Sequence, residues 1–357
     1  MRNIISKIGV VLLALGFVGV LAFAIITGFK IATGLEDDNR FSVSMVTDGG
    51  GINDQSFQES AWKGMQELAK EVDVKVSYVE CPQTSDFLIN IDKLADENTN
   101  LIWGIGYKLA DTIELAAKTN PEINYALADF SLGEKTPDNV TCAVFRSEES
   151  SFVVGYIAAM TTKTNCVGFV GGIKGLVIDQ FEYGYLAGVK YASKKLGKNI
   201  DVKVQYAESF TDSAKGKAIA MEMYNKCDVI FHAAGGAGVG IIEAAKETGK
   251  YVIGVDKDQL PLAPNNVLTS AIKDVGKAVK TISINALNGE RMGGKTFSYG
   301  IKEKCVGIPA ENPNLDPNVY KAAIEIQEKI SDGKIVSPGT EKDYNEFCSK
   351  LLNGEVI

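Results

Sequence analysis

The chain has 357 residues, 45% hydrophobic and 23% charged. That is apolar enough to offset the ordering entropy that keeps disordered chains unfolded, and long enough for two domains at about 100–200 residues each. Its net charge is −8, and since residues 1–35 hold Arg2, Lys7 and Lys30 and no acid, the remainder carries −11. So acidic a body argues against nucleic acid as a partner, because phosphate-backbone affinity comes from Lys and Arg.

Residues 8–29 form a run of 22 in which Thr27 is the one conventionally polar member. As a helix it would span ~33 Å, enough for a hydrocarbon core of ~30 Å. Arg2 and Lys7 precede it, as in an export signal. Ala22-Phe23-Ala24 has the small-x-small form of a signal-peptidase site, yet the apolar run continues through Ile25, Ile26 and Phe29, which favours an uncleaved anchor. Residues 1–35 are therefore expected to be a signal or membrane anchor. The body is expected on the extracytoplasmic face of the cell membrane, or secreted if the chain is cut near Ala24.

From Phe41 onward, short apolar runs alternate with amphipathic segments. Strands are expected at 41–46, 74–79, 101–104, 125–128 and 140–145, with helices at 55–72, 86–97 and 108–119. The pattern then restarts. Strands fall at 167–170, 202–206, 229–231 and 252–255, helices at 178–196, 213–226 and 239–248, and a further short strand precedes Lys273. Repeated strand–helix–strand units imply an α/β fold with parallel sheets covered on both faces. One echo suggests two similar halves: a helix containing Ile113 and Lys118 leads to a strand ending at Asp129, and one containing Ile242 and Lys246 leads to a strand ending at Asp256.

Ligands bind beyond the carboxyl ends of the strands in open parallel sheets. The first such end is Thr47-Asp48-Gly49-Gly50-Gly51-Ile52-Asn53-Asp54. Its glycines permit close backbone approach, and Asn53 or Asp54 can cap the next helix. Phe57 follows in the first helical turn. Phe210, between a strand and a helix in the second half, reads as the same kind of position, so two aromatics could sandwich a planar ring, worth ~0.5–1.5 kcal/mol beyond area burial. Asp48, Asp129 and Asp256 would put acceptor-only groups in one cleft. They suit hydroxyl and N–H groups and repel phosphate, which describes a nucleoside better than a nucleotide. The segment from Gly235 and Gly236 to Gly240 only loosely resembles a dinucleotide fingerprint, and no Walker A pattern occurs. No cofactor is expected. The single histidine, His232, leaves no His-rich metal site, and any Ser-His-Asp machinery would have to use it. The six cysteines include no C-x-x-C pair and assign no disulfide.

The ordered set of Val46-Thr47-Asp48 through Phe57, Trp62-Lys63-Gly64, Ala128-Asp129-Phe130, the run from Phe210 to Lys217, His232-Ala233-Ala234-Gly235-Gly236 and Gly254-Val255-Asp256-Lys257-Asp258 resembles the basic membrane protein family over about residues 41–310. Its members are ABC-transporter substrate-binding proteins, often lipoproteins, that bind purine nucleosides. The resemblance implies a type I periplasmic-binding-protein fold, with two Rossmann-like lobes joined by three crossovers around a ligand cleft. The lobes would be 41–147 plus about 273–305, and 148–272 plus about 306–357. Phe57 and Phe210 would stack on the base, and Asp129 would bond its ring nitrogens. Asp48, Asn53, Asp256 and Lys273 would hold the ribose or the cleft around it, with backbone contacts from Gly235 and Gly236. Most members carry a lipid-attachment cysteine after the signal. Here the first cysteine is Cys81, so the apolar run would replace the lipid as anchor, or the protein is released.

The expected function is thus extracytoplasmic capture of a purine nucleoside for an ABC permease complex, by binding and not catalysis. The rivals are a nucleoside-cleaving enzyme, a ligand-sensing regulator, and a binding protein for another nucleoside-like heterocycle such as a flavin. The enzyme lacks a recognisable nucleophile–base pair or metal cluster. The regulator would need a DNA-binding helix pair where residues 1–40 supply an apolar run.

Overall fold

Alternating apolar runs and amphipathic segments become two six-stranded sheets in a computed structural model that describes residues 39–354. The expected anchor at 1–35 lies outside the described residues. Among those described, no helix is long and apolar enough to cross a membrane.

The first sheet holds β1 (Phe41–Thr47), β2 (Val74–Val79), β3 (Leu101–Ile105), β4 (Asn124–Ala128), β5 (Val140–Phe145) and β11 (Lys295–Tyr299), in the order β11-β5-β4-β3-β1-β2. The second holds β6 (Cys166–Gly171), β7 (Asp201–Tyr206), β8 (Val229–Ala233), β9 (Tyr251–Asp256), β10 (Val267–Lys273) and β12 (Val306–Gly307), in the order β12-β10-β9-β8-β6-β7. Strand for strand, β1–β5 and β6–β10 follow the same order. Every pairing is parallel except that of β12 with β10, which is antiparallel. Every residue of β3 and β8 is buried, as strands covered by helices on both faces must be.

The helices of the first half are α1 (Phe57–Glu71), α2 (Phe87–Asp96) and α3 (Ala110–Thr119). Those of the second are α4 (Ser147–Thr161), α5 (Leu176–Leu196), α6 (Ser213–Met223) and α7 (Ala237–Thr248). The alternation read from sequence stops at Lys273. The structure adds α8 (Val275–Leu287), α9 (Pro317–Ser331) and α10 (Glu341–Asn353). It also adds α4, which has no polar face to give it a period: eleven of its fifteen residues are buried. α4 lies against α5 at very short range, and a Cβ on Gly188 would fall 2.0 Å from the carbonyl oxygen of Phe152.

The chain passes between the sheets three times: after β5, after β10 and after β11. Arg146, at the first passage, pairs through Nε with Glu149 at 2.6 Å and through Nη2 with Glu303 at the third. The backbone N–H of Asp274, at the second, donates to the carbonyl of Cys305 at 2.6 Å. The three passages are therefore tied side by side. α8 returns to the first half, where Trp103 Nε1 on β3 donates to Ser283 Oγ at 3.1 Å.

Candidate functional site

The carboxyl ends of both sheets converge on one cavity of about 290 Å³. β1 ends at Thr47 and hands Asp48 to the cavity. Gly49, at φ +110°, turns the chain behind it. Asp54 then caps α1: its carboxylate accepts from the backbone N–H groups of Ser56, Gln58 and Glu59 at 2.9–3.0 Å. With the helix start held there, Phe57 faces the cavity and Gln58 Nε2 donates to Asp48 Oδ1 at 2.7 Å.

β4 and β9 occupy equivalent places in their sheets, and Asp129 and Asp256 stand at their ends with φ +67° and +66°. Left-handed backbone is uncommon outside glycine, though aspartate tolerates it. Its occurrence at both strand ends makes the echo in the sequence a structural repeat. The likeness read between Phe57 and Phe210 is of a different kind. Phe57 follows β1, whereas Phe210 follows the edge strand β7. The counterpart of Phe57 in the second half lies in α5, which supplies Phe181 to the same cavity. The Phe210 ring lies across Gly172, where a Cβ would fall 2.2 Å from a ring carbon.

Seven of the nine residues expected from sequence line the cavity: Asp48, Phe57, Asp129, Phe210, Gly235, Asp256 and Lys273. Asn53 is exposed and outside the lining, because the capping role went to its neighbour Asp54. Gly236 also lies outside it, beside the carbonyl of Phe210, at the residue before α7.

Polar contacts join the two halves at the cavity and beside it. Lys273 Nζ pairs with Asp129, the two side chains being 2% and 8% exposed. The same ammonium lies 4.6 Å from the centre of the Phe57 ring, 5.3 Å from Phe145 and 5.6 Å from Phe181, so cation–π attraction offsets part of its desolvation. Ser56 Oγ donates to Asp256. Gln259 Oε1 accepts from the N–H of Val255 and meets His232 Nε2, both at 3.0 Å, which aims its amide nitrogen at the Gln55 carbonyl, 2.9 Å away in the other half. Lys257 pairs with Glu59.

Burial pushes the Asp48 carboxyl up to about 6, against the opposing pull of Lys108 and the Gln58 hydrogen bond. Burial likewise pushes Asp256 up to about 6, opposed by Lys273 and Ser56. His232, fully buried, is pushed down to about 4. Among the described residues no cluster of His, Cys, Asp and Glu could hold a metal ion.

Sequence reasoning missed Lys108, Phe181 and Gln58. Lys108 lines the cavity just beyond the end of β3, its ammonium 5.4 Å from the Phe210 ring centre. The strand-end rule that found Asp129 would also have found it. Phe181 could have come from pairing α5 with α1. Gln58 is set by capping geometry alone and leaves no signal.

The family model of PnrA-like ABC transporter substrate-binding proteins matches residues 41–341. The chain is 41% identical over 318 residues to basic membrane protein A of Borreliella afzelii, covering 87% of this chain and 95% of that one. It is 39% identical over 315 residues to basic membrane protein A of Borreliella burgdorferi, covering 87% and 91%. Among solved structures it is similar to an ABC transporter solute-binding protein of Aeropyrum pernix, at TM-score 0.78 and 25% identity over 88% of this chain and 98% of that one.

Proposed function

The chain belongs to the family of PnrA-like ABC transporter substrate-binding proteins and has the two-lobed type I periplasmic-binding-protein fold, and from that premise we propose that it captures a purine nucleoside between its lobes and delivers it to a permease complex. The observation that carries this reading is the arrival of Phe57 and Phe210, from opposite lobes, on one cavity that also holds Asp48, Asp129 and Asp256. Aromatic faces suit a flat base. Ionised carboxylates accept hydrogen bonds from ring N–H and ribose hydroxyls and repel a phosphate. Asp129 takes the base, and Asp48, Asp256 and Lys273 take the ribose side.

The mechanism is binding by closure. A ligand that touches both lobes stabilises the closed arrangement by its differential affinity for it. A binding role is supported by His232, the single histidine, which sits outside the cavity lining against Gln259. The N-terminal apolar run serves as the tether that keeps the protein on the extracytoplasmic face beside its permease.

Isothermal titration of the full-length chain with inosine, guanosine and adenosine tests the proposal. Saturable heat is expected with at least one of them. Phe57→Ala and Phe210→Ala should each weaken that binding by about 2–10-fold, the loss of one stacking partner. No heat with any of the three would overturn the purine reading, and conversion of nucleoside to free base on long incubation would overturn the binding role.

A further inference from the structure

Cys166 opens β6 and Cys227 lies two residues before β8. These strands are parallel neighbours, with Val167 beside Val229. Both cysteines are buried, and their sulfurs stand 3.1 Å apart. That is closer than unbonded sulfurs ordinarily pack, and only about 1 Å beyond the length of an S–S bond, ~2.05 Å.

The backbone around the pair is held by groups other than the sulfurs. The Asp228 carboxylate accepts from Thr162 Oγ1 at 2.6 Å, from Lys163 N at 2.7 Å and from Thr164 Oγ1 at 3.1 Å. Lys250 Nζ donates to the Cys227 carbonyl at 2.9 Å. Two segments 61 residues apart are thus clamped with their thiols facing. Among the described residues no other two cysteine sulfurs meet in this way.

We propose that Cys166 and Cys227 form an intramolecular disulfide as the chain folds, with a small-molecule or protein disulfide as the oxidant. The Cys227 thiolate attacks one sulfur of the oxidant and expels the other as a thiolate. The Cys166 thiolate then attacks the Cys227 sulfur of the mixed disulfide and releases the second oxidant thiolate. The protein pair loses two electrons and two protons, and the oxidant becomes two thiols. The reaction belongs to the folding chain because burial hides Cys227 and pushes its thiol pKa up, which suppresses the reactive thiolate once the lobe has closed. The same burial then shields the bond from reductants. The bond joins the amino ends of two strands whose carboxyl ends face the cavity, so it raises stability and leaves ligand affinity unchanged.

The full-length chain is refolded from its reduced, denatured state in a buffer of reduced and oxidised glutathione. Free thiols are then alkylated in denaturant and the peptides mapped by mass. The expected result is a linked peptide pair containing Cys166 and Cys227, lighter by two hydrogens than the two reduced peptides, with the other cysteines alkylated. Wild type refolded with dithiothreitol should melt several degrees lower than wild type refolded in glutathione, while Cys227→Ala should melt at the same temperature from either buffer. Alkylation of all six cysteines after the glutathione refolding, or a bond that includes any other cysteine, overturns the proposal. The map on wild type decides the matter even if the variant does not fold.

Discussion

Asp129 shows how burial changes what a substitution does. Its carboxylate is paired with the Lys273 ammonium, which is 2% exposed. Removing one partner of a buried pair leaves an uncompensated charge, a loss of about 3–5 kcal/mol. Asp129→Ala should therefore lower stability to urea as well as nucleoside affinity. Adding Lys273→Met should restore most of the stability and none of the affinity. Equal stability of the single variant and wild type would show that the pair is not load-sharing in solution. Asp48 and Asp256 give a pH dependence. Their folded pKa values of about 6 lie above the ordinary 3.8, so the stability they contribute is full below about pH 4 and is lost as pH rises through 6. Ligand binding runs the other way, because it uses the ionised acceptors. Nucleoside affinity measured by titration from pH 7.5 to 5 should fall below about pH 6, and a flat profile would remove both carboxylates from the site.

At the scale of elements, the strands and helices before Lys273, apart from α4, were legible, because a single buried face leaves a period of two or 3.6; α9 and α10 were not read although each has a polar face. α4 was not legible. It is wedged between α5 and α9, is buried nearly all round, and looks in sequence like any apolar run. β12, two residues paired antiparallel to β10, is too short to leave a pattern. The fit of α4 to α5 depends on glycine, with no room for a methyl at Gly188 beside the Phe152 carbonyl. Gly188→Ala should destabilise the protein by about 1–3 kcal/mol through overpacking, measured as a fall in urea midpoint. An unchanged midpoint would mean the two helices can move apart without loss.

For the whole molecule, the two lobes are joined by contacts that no local pattern announces. Gln259 reaches from the second lobe to the Gln55 carbonyl of the first, with His232 and the Val255 N–H orienting its amide. Gln259→Leu keeps the volume and removes the cross-lobe bond. If capture works by the proposed closure, the variant should speed nucleoside dissociation several-fold in stopped-flow measurements with little change in the association rate, because the lost bond links the two lobes. An unaltered dissociation rate would mean that Gln259 braces its own lobe and not the closure.

The sequence by itself determined the alternation of strands and helices, the restart of that alternation in a second half, and the strand-end residues Asp48, Asp129, Asp256 and Lys273. Each of these is written locally, in hydrophobic period and in the punctuation after a strand. It placed Phe210 on the site but matched it to the wrong counterpart, because sheet order is not a local property. The tertiary structure decided which strand ends face each other, and so brought Lys273 to Asp129 across 144 residues, Ser56 to Asp256 across 200, and Gln259 to Gln55 across 204. Such pairs carry no periodicity. Their partners are chosen by the three passages of the chain between the sheets, which bring groups of one lobe within reach of the other.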